Sequence, residues 1–62
     1  EKAIEFYAQS YKNGFDKGMM DDNIWEACEE LMKADGDKAK WSRYYLDLIP
    51  DGKYTGKAQK HV

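Results

Sequence analysis

Between Gly36 and Pro50 the chain reads GDKAKWSRYYLDLIP, and that stretch has a start, a face and a stop. Trp41, Tyr44, Tyr45 and Leu48 recur at i, i+3, i+4 and i+7, the period of one helical face. Pro50 cannot continue a helix and biases the residue before it away from the helical region. A helix over about 38–49, opening near Asp37, is therefore expected, with its four large side chains given to a core.

The rest of the chain has little else to build with. At 62 residues it is expected to form a single domain over 1–62, and a domain of that size buries only about 60% of the surface its unfolded form exposes. The lone cysteine, Cys28, excludes an intramolecular disulfide. A zinc cage takes about four nitrogen or sulfur ligands, whereas Cys28 and His61 are the only candidates and lie 33 positions apart. Large core side chains, self-association or a partner must supply the stability. Aromatic residues at 15% of the chain suit the first of these.

Two more stripes precede the aromatic one. Ile4, Tyr7, Ala8, Tyr11 and Phe15 repeat at helical spacing, which predicts a helix over about 2–18, with a break at Asn13-Gly14 as the alternative. Ile24, Ala27, Cys28 and Leu31 predict a second helix over about 23–34, which Trp25 and Met32 make apolar over a wider arc. Asp21, Asp22 or Asn23 can cap it, Asn23 and Glu26 have the spacing of a capping box, and Gly36 ends it. After Pro50, PDGK is a turn, and YTGKAQKHV has no periodicity, so 50–62 reads as a short basic tail, extended or disordered. The expected fold is an all-α three-helix domain with Tyr11, Phe15, Ile24, Cys28, Leu31, Trp41, Tyr45 and Leu48 in one core.

No constellation of catalytic groups stands out. Cys28 sits mid-stripe, where cysteine acts as a small hydrophobe, and His61 lies in the tail with nothing to orient it. Glu26, Glu29 and Glu30 line a solvated face. The Asp35–Lys38 run, DGDK, fails as a calcium loop because Ala39, Lys40 and Leu46 occupy required positions, and NGFDKG lacks the ending of a phosphate loop. The expectation is a non-enzyme without cofactor or metal. No run approaches a membrane span and the first residues lack a signal-peptide core, so a cytoplasmic setting is expected.

What remains is a surface for partners. Phe6 points about 160° from the Ile4 stripe at 100° per residue, and Leu46 points off the Trp41 face. Tyr54 stands among Lys53, Lys57 and Lys60 beyond the last helix. Phe6, Leu46, Lys53, Tyr54, Lys57 and Lys60 are the candidate contacts of a protein-binding module: an adaptor, a minor subunit, or a host- or phage-encoded inhibitor acting by surface occupation. Another protein is the expected partner, and self-association stays open. The alternative is nucleic-acid binding through a helix-turn-helix outline, with Lys38, Lys40, Ser42 and Arg43 on the recognition helix. Against it, the net charge is −2, where nucleic-acid binders are usually basic.

Overall fold

A computed structural model describes the backbone of residues 2–62 and the side chains from residue 3. The described residues form a small all-α domain of four helices: α1 Lys2–Lys12, α2 Lys17–Asp35, α3 Lys38–Leu48 and the short α4 Thr55–Gln59. The long α2 is the centre, with α1 and α3 packed against it and α4 packed on α3.

The first helix ends at Lys12 instead of continuing to residue 18, so the break at Asn13-Gly14 prevails. Gly14 adopts a left-handed φ of 80°. Its N–H donates to the Tyr11 carbonyl at 3.0 Å, and the Phe15 N–H donates to the Ser10 carbonyl at 3.0 Å. These are the paired bonds of a Schellman ending, which closes a helix as completely as another turn would extend it. In that motif the residue after glycine normally packs on an apolar side chain one turn back. Here that place holds Ser10, and Phe15, expected in the core, is 62% exposed.

The second helix starts at Lys17, six residues before the expected start at 23 that the cap candidates Asp21, Asp22 and Asn23 suggested. Asp16 is its N-cap, in a left-handed conformation (φ 38°), and its carboxylate accepts the Met19 N–H at 3.3 Å. Asp21, Asp22 and Asn23 therefore lie inside the helix, leaving both aspartates free for contacts made across the fold. At the other end Gly36, φ 74°, donates its N–H to the Met32 carbonyl at 2.7 Å and terminates α2. Asp37 then caps α3 by accepting the Lys40 N–H at 3.0 Å. Asp35 ties the corner together, accepting the Asp37 N–H at 2.9 Å and the Trp41 indole N–H at 2.8 Å.

The core consists of Ile4, Met20, Ile24, Trp25, Cys28, Met32, Trp41, Tyr45, Ile49 and Ala58, with Ala8 also buried. Of the residues expected there, Ile24, Cys28, Trp41 and Tyr45 are buried, while Tyr11, Leu31 and Leu48 are only partly covered. The early start of α2 explains the arrival of Met20, and its wide apolar arc brings in Trp25 and Met32.

The tail is neither extended nor disordered. It turns at Pro50, forms α4 and places Ala58 in the core. A helix of five residues is too short to show a period, and the anchors of the two residues that lead into it, Lys53 and Tyr54, lie far back in the chain.

Candidate functional site

Those anchors are two adjacent carboxylates on α2. Asp21 is buried and accepts the Tyr45 hydroxyl at 2.5 Å and the Lys53 backbone N–H at 2.9 Å. The Tyr45 oxygen in turn accepts the Tyr54 N–H at 3.1 Å. Asp22, half-exposed, accepts the Tyr54 hydroxyl at 2.6 Å and lies 3.2 Å from the Lys53 ammonium. That last pair joins two well-solvated groups and adds little. The hydrogen bonds to the carboxylates matter more, since bonds to charged acceptors are the stronger kind.

Aromatic rings fill the space between them. Tyr54 stacks on Trp25 with centroids 5.6 Å apart and planes 9° from parallel. Tyr45 meets Trp25 edge-on at 5.1 Å and Tyr54 edge-on at 6.2 Å. Close to the turn, Gly52 leaves room for nothing larger: a Cβ there would sit 2.3 Å from the Tyr45 hydroxyl oxygen and 2.5 Å from Ile49 Cγ2.

The structure divides the residues expected to meet a protein partner. Phe6 is 66% exposed, and Lys60 is in solvent. Leu46 is half-buried against the core instead of standing clear of it. Tyr54 is stacked and hydrogen-bonded within the fold, Lys53 reaches Asp22, and Lys57 lies over the Tyr54 ring at 5.5 Å. Lys53, Tyr54 and Lys57 come together, therefore, but around Trp25 of the same chain. Of the nucleic-acid set, Lys38, Lys40 and Arg43 are exposed along the first turns of α3. Ser42 is fully buried and withdrawn from that surface, and Lys40 lies 4.6 Å from the centre of the Trp41 ring.

Periodicity put one exposed apolar residue in the core and passed over another. Phe15 and Met19, the latter 47% exposed, flank the strained Asp16 at the α1–α2 turn. The Asn13-Gly14 turn signal was the available clue, because a helix ending there strands Phe15 outside any stripe. Shallow grooves also open on the surface. One of about 310 Å³ runs between α1 and α3 over Ala8, Lys12, Tyr44, Asp47 and Leu48. Another, of about 360 Å³, is lined by Glu29, Met32, Lys33, Lys38 and His61.

Burial raises the Cys28 thiol to about 12, with a smaller push from Glu29, which keeps it protonated and unreactive at neutral pH. The bond to Asp22, then burial, raises the Tyr54 phenol to about 12. Burial, then Asp21, raises Tyr45 further in the same direction. The Tyr54 hydroxyl, then Lys53, lowers Asp22, and the Asp37 N–H, then the Trp41 indole, lowers Asp35. Stability should therefore have a plateau with two edges. The raised acids stabilise the fold fully below their unfolded values, about 8.5 for Cys and 10 for Tyr, and lose that contribution as pH rises toward 12. The lowered carboxylates stabilise it above about 3.9 and lose that contribution as pH falls through their folded values. Urea midpoints measured from pH 2 to 12 should fall off at both ends, and a midpoint unchanged from pH 9 to 12 would contradict the tyrosine geometry.

No known protein family, curated protein or solved structure matches the chain. Among the described residues, no helix is long and apolar enough to cross a membrane.

Proposed function

We propose that this chain is a non-enzymatic protein-binding module: an adaptor, a minor subunit or an inhibitor that acts by occupying a surface. The observation that carries the reading is Phe15. It stands 62% exposed between two residues with positive φ, Gly14 at 80° and Asp16 at 38°. Asp16 holds a conformation that costs a non-glycine residue about 1–2 kcal/mol, and beside it an aromatic ring sits in water. With Met19 four residues on and Phe6 on α1, large apolar groups remain exposed on a chain whose core is small. Single exposed apolar residues are ordinary, but aromatic anchors dominate binding energy where interfaces do form. A reducing, cytoplasmic setting belongs to the same reading, since the one thiol is buried and unpaired.

The test is capture by the tagged full chain from its native lysate after nuclease treatment. A partner retained by the wild type should be lost, by about tenfold or more in affinity, when Phe15→Ala or Phe6→Ala is introduced. Both variants should keep the wild-type melting temperature. Capture indifferent to both substitutions would sink the reading. The exposed Lys38, Lys40 and Arg43 support nucleic-acid binding as a second reading. Capture abolished by nuclease, with a mobility shift that weakens steeply as salt rises, would favour it.

A further inference from the structure

Successive turns of α2 carry Asp21, Asp22, Trp25 and Glu26, three carboxylates about an indole ring. Lys53 and Tyr54 lie across them and lead into α4, which packs on α3, so that residues 53–59 form a strap fastened to α2 at its first two residues: Tyr54 flat on Trp25, its hydroxyl on Asp22, the Lys53 N–H on Asp21 and the Lys53 ammonium beside Asp22. Within the strap only Ala58 is fully buried, so polar contacts to α2 and one ring stack supply most of its hold there. The fit is also incomplete. Trp25 is 3% exposed, yet its indole N–H has no acceptor among the described residues. Leaving a buried donor unpaired is costly, and the Tyr54 ring stacked on the indole face leaves that donor unsatisfied. When Lys53 and Tyr54 lift, Asp21 keeps the Tyr45 hydroxyl as its donor.

We propose that the Asp21–Asp22–Trp25–Glu26 face is a docking site for a basic peptide segment with an aromatic residue next to a lysine, held shut by the chain's own Lys53–Gln59. The strap shows which chemistry this face accepts, since Lys53-Tyr54 places a ring on Trp25 and positive charge opposite the carboxylates. The strap is thus an internal competitor, present at the high effective concentration that a short tether confers. The inference rests on the protein-binding reading and adds to it a regulated second surface.

The probe is a synthetic peptide with the sequence of residues 53–60, KYTGKAQK, titrated into the full chain while the Trp25 indole resonance is followed. Tyr54→Ala removes the internal ring and leaves the docking face untouched. This variant should bind the peptide at least tenfold more tightly than the wild type. Adding Asp22→Asn, or replacing the peptide's tyrosine with alanine, should abolish that gain. A helical Tyr54→Ala chain that binds no better than wild type overturns the proposal, as does indifference to Asp22→Asn. Should Tyr54→Ala fail to fold, Tyr54→Phe removes only the hydroxyl latch. The Ala58 and His61 amides should then exchange at least tenfold faster with α1–α3 protection unchanged, and equal protection overturns the proposal. The peptide does not use Phe6 or Phe15, so failure here leaves capture through those residues standing, and failure of that capture leaves peptide binding to be judged alone.

Discussion

Trp41→Ala should cost the chain about 3–5 kcal/mol, a third or more of its whole stability. Trp41 is buried, packs beside Tyr44 with ring centres 5.8 Å apart, and donates its indole N–H to Asp35 at 2.8 Å. Truncating a buried tryptophan costs about 3–5 kcal/mol, and domains have roughly 0.05–0.15 kcal/mol of stability per residue. For 62 residues that amounts to roughly 3–9 kcal/mol in all, so the loss takes away at least a third and up to the whole. The substitution also leaves Asp35 with one donor fewer at the α2–α3 corner. Helical circular dichroism against urea is the measurement. Trp41→Phe separates the two contributions by restoring most of the ring and omitting the N–H, and should fall between wild type and Ala. A Trp41→Ala midpoint equal to wild type would mean that α3 does not depend on its aromatic stripe.

The α3 stripe was legible because every signal for it is local. Gly36 supplies the left-handed residue that ends α2, Asp37 reaches three residues ahead to cap α3, and Pro50 forbids continuation. The Ile24 and Cys28 positions were legible for the same reason, through their i, i+4 spacing. The α1–α2 boundary was ambiguous in sequence. Gly14 at stripe spacing fits either a close helix contact or a Schellman ending, and only the backbone bonds to Ser10 and Tyr11 decide between them. Phe15 was misplaced as a consequence, its periodicity being that of a helix that had already stopped. The caps misled in a different way. Asp21 and Asp22 look like an N-terminus because acids belong there, but their donors are Tyr45, Lys53 and Tyr54, 24 to 32 positions along the chain. No window-based reading finds such pairs. The order of the tail follows from those same contacts, which is why a segment without periodicity is nonetheless fixed.

Removing the buried acceptor gives the second large effect. Asp21→Ala takes the carboxylate from the Tyr45 hydroxyl and the Lys53 N–H together, one in the core and one at the start of the strap. The buried Tyr45 hydroxyl left without a partner costs about 1–3 kcal/mol and the part-buried Lys53 N–H a smaller amount, so the expected loss is about 2–4 kcal/mol. Repacking cannot easily recover it. The wall facing Asp21 is Gly52, where a Cβ would lie 2.9 Å from Asp21 Oδ2 and closer still to Tyr45 and Ile49, so the backbone is already as near as it can come. Asp21→Asn is the informative companion. Its amide oxygen can accept one of the two donors, but its amino group then faces a donor or a tyrosine oxygen already accepting the Tyr54 N–H. An intermediate loss is expected, with the strap amides losing exchange protection before those of α1. Should Asp21→Ala match wild type in urea and in strap protection, the Tyr54 ring stack, the Asp22 contacts and Ala58 would hold the tail without it, and Asp21 would have no part in fixing it.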